Sequence, residues 1–218
     1  MCRFLIVKSK KKIKPENLLK SFALVCQKSI APDGELQKDG YGVAWNNGKF
    51  WQIKKSLTPI WENLDLFGKI PETDLFVAHA RSASFVKDKN DIDFNQPFID
   101  GAVCFVFNGM IRKVNLNLLL EGEIGSQKLF SLIKLHLKNY EISLALQKAK
   151  EFILNKAQII EGMNIGLITR ENICLVSHFT KNENYYSLYY SQNPEFTIVC
   201  SQKFGSYSWK KVDENEIS

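Results

Sequence analysis

The sequence lacks any run of eighteen apolar residues, so no membrane-spanning helix is expected. It also lacks a secretory signal: the apolar stretch of MCRFLIVKSKKK is short and precedes the charges. No lipidation pattern is present. These absences make the cytoplasm the expected location. Five cysteines occur, an odd number at wide spacing with no CxxC pair, which argues against a zinc site or a thioredoxin-like motif. Cys104, Cys174 and Cys200 sit in apolar runs and read as small buried hydrophobes. Arginine is scarce, at Arg3, Arg81, Arg112 and Arg170 only.

What is present fits a folded, soluble chain. Of 218 residues, 45% are hydrophobic and 24% charged, which excludes intrinsic disorder. The length suits one domain, residues 2–218, able to bury a sizeable core. The net charge of +6 comes from lysine. The run Lys8, Lys10, Lys11, Lys12 and Lys14 reads as a solvated loop after a first strand. No RNA-binding aromatic signature or helix-turn-helix pattern accompanies it, so no nucleic-acid partner is expected.

Periodicity predicts a strand over Cys2–Val7, then a helix started by Pro15 with Leu18, Leu19, Phe22, Val25 and Cys26 at helical spacing. Asn46-Asn47-Gly48 predicts a hairpin between Gly42–Trp45 and Lys49–Lys54. Strands follow at Leu75–His79 and Ala102–Phe107. A helix is predicted from Ser126, another over Leu144–Ile160, and then strands at Ile165–Thr169, Ile173–Ser177, Tyr186–Tyr190, Phe196–Cys200 and Tyr207–Val212. Strands, a helix pair and strands again imply an α+β domain.

The chemistry-bearing candidates begin with Cys2. Removal of Met1 would place an amine, with an ordinary pKa of about 7.7–8.0, on the same residue as the thiol. An N-terminal amine beside a nucleophile is a recognised activating arrangement. HARSAS (His79–Ser84) places Arg81 after an apolar strand. A guanidinium there is suited to gripping a carboxylate through two hydrogen bonds. His79 reads as a buried hydrogen-bonding residue. Asn108-Gly109 supplies a side-chain amide and an unhindered backbone N–H, suited to stabilising an oxyanion.

MCRF, DGYGVAW (Asp39–Trp45), HARSAS, NQPF (Asn95–Phe98), FNGMI (Phe107–Ile111) and GSQKLF (Gly125–Phe130) occur in the order of class II glutamine amidotransferase domains. The chain resembles the small stand-alone members of that N-terminal-nucleophile family. The resemblance implies a four-layer αββα sandwich with two antiparallel sheets. It implies Cys2 as nucleophile, Asn108 and Gly109 as the oxyanion pair, and Arg81 and Ser84 at the substrate carboxylate. Gln96 would shape the pocket wall, and Ser126 and Gln127 would lie on its helix side. The implied substrate is glutamine or a γ-glutamyl-type amide, cleaved through a thioester without metal or cofactor. A separate synthase subunit or a second copy of the chain is the implied partner.

The chain departs from the family where an Asp and a Glu open the helix; here stand Gly125 and Gln127. Either the substrate lacks an α-ammonium, or Glu121 or Glu123 substitutes. Phe107 replaces a common His, which makes the pocket drier. Two other readings remain at this level: a non-catalytic relative that binds an amino-acid-like ligand, and an N-acyl amide hydrolase of the bile-salt hydrolase type.

Overall fold

The architecture comes from a computed structural model, which describes residues 1–115 and 117–213. Strand β1 (Arg3–Ile13) is followed by helix α1 (Glu16–Lys28), the hairpin β2 (Tyr41–Asn46) and β3 (Trp51–Ser56), and β4 (Thr73–Ala80). A second hairpin pairs the short β5 (Phe98–Asp100) with the long β6 (Val103–Val114). Helices α2 (Gly125–Leu137) and α3 (Ile142–Lys156) come next. They lead to β7 (Ala157–Ile168), β8 (Ile173–Val176), the single-turn α4 (Glu183–Tyr186), β9 (Tyr189–Gln192), β10 (Phe196–Cys200) and β11 (Lys210–Lys211).

Among the described residues the strands form two antiparallel sheets. One has the order β11-β9-β10-β1-β4-β2-β3 and the other β5-β6-β7-β8. Three apolar clusters show how these stack. In α1, Leu19, Phe22, Ala23 and Cys26 fall on one face at helical spacing and pack on Leu5, Val7, Phe76 and Ala78 of the larger sheet. Leu129, Leu132 and Ile133 of α2 and Leu146, Ala149 and Ile153 of α3 pack on Phe105, Ile165 and Leu167 of the smaller sheet. Between the sheets lie Phe4, Ile6, Leu75, Val77, Cys104, Val106, Ile168 and Val199. Successive residues of a strand face opposite sides, so β1, β4, β6 and β7 each supply one row to a helix and one to the middle. The layers are therefore α, β, β and α, the expected four-layer sandwich.

Several boundaries differ from the sequence reading. The lysine run is not a loop: Lys8, Lys10, Lys11 and Lys12 lie in β1, which pairs with β4 through Lys8↔Leu75 and Ile13↔Thr73. Main-chain partners extend this strand beyond its apolar part while the lysine side chains remain at the surface. Helix α3 ends at Lys156, so Ile159 and Ile160 belong to β7 and pair with Arg112 and Ile111. Tyr186 closes α4 rather than starting a strand. Strand β6 continues past Phe107 to Val114, which places Asn108-Gly109 inside a strand.

Candidate active site

The inter-sheet layer changes chemistry at one end. The inward row of β1 reads Ile6, Phe4, with Cys2 just before the strand. That of β4 reads Leu75, Val77, His79, with Arg81 just beyond the strand. In β6 the row is Cys104, Val106, Asn108, and in β7 it is Ile168, Gly166, Asn164. Asn108 and Asn164 are register partners, and Phe4 pairs with His79. The alternation that fills the core thus delivers a thiol, an imidazole, a guanidinium and two amides to one edge of the same gap.

The Cys2 Sγ is partly buried and lies 3.8 Å from the Ser82 carbonyl oxygen. Its backbone is held firmly. The Tyr185 hydroxyl is 3.2 Å from the Cys2 carbonyl oxygen and 3.0 Å from that of Met1. The next residue, Arg3, is buried and stacks 3.7 Å above the Tyr185 ring. It donates to Ser29 Oγ at 2.8 Å and to the carbonyls of Tyr185 at 2.7 Å and Ser201 at 2.6 Å. Burial lowers the Arg3 pKa. The Met1 side chain is buried with Ala31, Tyr185 and Tyr186, its sulfur against the Tyr186 hydroxyl. Its amine is 3.9 Å from Asp33.

Arg81 is 4% exposed. Burial pulls its pKa down, while Cys2, Asp39, Asp88 and Asp91 oppose that. The guanidinium donates to Asn95 Oδ1 at 3.3 Å and to the Asp88 carbonyl at 2.7 Å. That engages two of its five N–H groups. The loop after it is tied back by Asp39, which accepts from the Ala83 N–H at 2.8 Å and pairs with Lys89 at 3.2 Å.

Asn108 is fully buried, and neither its nitrogen nor its oxygen has a hydrogen-bond partner among the described residues. A buried polar group left so costs about 1–3 kcal/mol. Gly109 follows with its backbone pressed against β7: a Cβ there would overlap the Gly162 carbonyl oxygen. Any side chain would push the two strands apart.

His79 is buried, with Nε2 3.3 Å from the Phe107 carbonyl oxygen, as the sequence suggested. Burial pushes its imidazole down to about 3, helped by the positive charges of Arg81, the N-terminus and Lys55 and opposed by the Phe107 hydrogen bond. It is neutral at ordinary pH. Gln96 accepts from the Phe107 N–H at 2.6 Å and donates to the Phe107 carbonyl at 3.4 Å. Its side chain therefore continues the β5–β6 pairing and sets the strand one residue before Asn108. Gly42 permits this approach, since a Cβ there would overlap the Gln96 carbonyl.

The remaining sequence candidates lie elsewhere in the local architecture. Ser84 is exposed on the loop after Arg81. Ser126 is buried in the first turn of α2. Gln127 accepts from the backbone N–H groups of Glu123 at 2.8 Å and Ile124 at 3.3 Å, which caps the start of α2. At Gly125 a Cβ would meet nothing within 4 Å, so the helix opening has room for a larger side chain. Asn95 belongs to the NQPF segment already singled out, whereas Asn164, Tyr185 and Tyr186 are site neighbours that the sequence reading does not contain. Asn164 carried a usable signal, being polar in the apolar strand NIGLI; the tyrosines did not, because NYYSLYY reads as a strand. Among the described residues no cluster of three or more His, Cys, Asp or Glu is arranged to hold a metal ion. None of their helices is long and apolar enough to cross a membrane.

No protein family and no curated protein matches the sequence. Solved structures do match the fold. A glutamine aminotransferase class-II domain protein from Silicibacter pomeroyi superposes with a TM-score of 0.63 and 14% identity, over 97% of this chain and 91% of that one. The glutamine phosphoribosylpyrophosphate amidotransferase from B. subtilis gives 0.64 at 12% identity; 92% of this chain matches only 42% of that enzyme. A predicted glutamine amidotransferase from Pseudomonas aeruginosa gives 0.52 at 12% identity, covering 99% and 94%. The fold is that of class II glutamine amidotransferase domains.

Proposed function

We propose that this chain is an amide hydrolase of the class II glutamine amidotransferase type, with Cys2 as nucleophile after loss of Met1. The observation that carries this reading is the buried amide of Asn108, unpartnered among the described residues, which faces the same inter-sheet gap as Cys2 and Arg81. An apolar core gains nothing from such a group. A donor held ready for negative charge explains it, because preorganised donors stabilise a tetrahedral oxyanion by about 2.7–4 kcal/mol each.

Removal of Met1 turns the Cys2 peptide nitrogen into a primary amine. It also empties the space beside Tyr186 that the Met1 side chain fills. Tyr185 still holds the Cys2 carbonyl, so the nucleophile keeps its place. The amine accepts the thiol proton, directly or through water, and the thiolate attacks the amide carbon. Asn108 Nδ2 and the Gly109 N–H receive the oxyanion. The C–N bond breaks, the amine leaves with the proton, and water hydrolyses the thioester to the acid. His79, neutral and bonded to Phe107, positions β6 and takes no part in proton transfer. Arg81 holds the substrate carboxylate with its remaining N–H groups.

The test is an intact mass of the purified protein before and after diazo-oxo-norleucine, a glutamine-like electrophile. The expected result is loss of Met1 and one label on Cys2. Cys26, Cys104, Cys174 and Cys200 stay unlabelled, being buried with thiol pKa values raised by burial, Cys200 to about 12. Retained Met1 with no label overturns the proposal and favours a ligand-binding relative without activity.

A further inference from the structure

A cleft of about 440 Å³ opens where edge strands β3 and β5 meet the first half of α2. Its volume falls in the range of small-molecule sites. Phe98 and Phe130 line it, 6.4 Å apart, and both stack near-parallel on the fully buried Phe105, at 6.2 and 4.9 Å. Ile53, Pro97 and Ile99 extend the apolar surface.

The charges that line the cleft are arranged unequally. Lys134 sits 2.6 Å from Glu121 and 3.6 Å from Asp100, so these three already face one another. Lys55 does not belong to that group. Its Nζ lies 5.6 Å from the Phe98 ring centre, and its one hydrogen bond among the described residues is to the Asp93 carbonyl oxygen at 3.4 Å. The carboxylates of Asp91 and Asp93 act on it from a distance, and no described carboxylate is within ion-pair range. Half-burial lowers its pKa, as expected of an ammonium short of counter-charge.

Between the cleft and the candidate active site lies a buried polar chain. Arg81 donates to Asn95, and Asn95 donates to the carbonyl of Ser56 at 2.7 Å, next to Lys55. Lys55 also pairs across the sheet with Gly42, against which Gln96 packs.

We propose that this cleft binds an organic carboxylate with an apolar or aromatic body, its carboxylate on Lys55 and its body on Phe98 and Phe130.

The probe is phenylacetate, titrated against the Cys2→Ala protein and followed by backbone amide NMR shifts. Saturable shifts over residues 53–55 and 127–134 are expected. Lys55→Gln should weaken binding at least tenfold, Lys55→Arg should retain it, and neutral phenylacetamide should bind at least tenfold more weakly. Equal binding of acid and amide, an unchanged affinity in Lys55→Gln, or shifts confined to other regions would overturn the proposal. The measurement needs no turnover. A failure here leaves Cys2 chemistry standing, and a failure to label Cys2 leaves this site standing.

Discussion

The two ends of the inter-sheet layer are built by the same strands and behave as opposites. At one end Ile6, Leu75, Val77, Cys104 and Ile168 close on one another with no polar atom to satisfy. At the other end Cys2, His79, Arg81, Asn108 and Asn164 occupy the same rows, and several of their polar atoms go without partners. The apolar end is what burial alone produces. The polar end costs stability and is tolerated because the apolar end and the two helix layers hold the strands in register. The apolar core and the candidate site are thus divided along the length of four strands.

The sharpest way to break this comparison is Asn108→Ala. Turnover should fall by about a hundred- to a thousandfold, while the urea midpoint stays level or rises, because an unsatisfied buried amide has been removed. Steady-state kinetics beside equilibrium unfolding checks both halves. A loss of stability without loss of turnover would mean that Asn108 serves the core. Ile6→Ala tests the apolar end in the reverse sense. It should lower unfolding free energy by about 3 kcal/mol and leave the labelling rate of Cys2 unchanged at temperatures where the protein is folded.

The smallest effect concerns His79. Its folded pKa is about 3, below the ordinary value near 6.5 of the unfolded chain. Between these values the unfolded chain binds the extra proton, so this contribution is intact above pH 6.5 and is lost as pH falls towards 3. The slope is about 1.4 kcal/mol per pH unit. His79→Gln should remove that slope, seen as a smaller drop in urea midpoint between pH 7 and pH 5. Its pH–rate profile should keep the wild-type shape, because the imidazole moves no proton in the reaction.

Much of the layering was legible in the residues. The apolar rows of β1, β4 and α1 are plain periodic patterns, and the helix pair stands out by its 3.6-residue repeat. One local signal misled, and another is overridden by strand pairing. Asn-Gly is a strong turn signal, yet Asn108-Gly109 lies within β6, because β7 offers a continuous ladder of partners on which a turn would be lost. The lysine run reads as solvated, and its side chains are, but its backbone is paired. Lys55 gave no signal at all: one lysine on an edge strand becomes distinctive only through Phe98 and Phe130, more than forty residues away.

By itself the sequence determined which faces must be buried, since period and composition are local properties of the chain. It also placed Cys2, Arg81 and Asn108 at the ends or interiors of strands. The tertiary structure alone decided that those rows converge, that Gln96 serves the Phe107 backbone and Gln127 the start of α2, and which charges are left without a partner. The reason is physical: a hydrogen bond or an uncompensated charge depends on what lies opposite, and that is settled only when strands distant in the chain pair.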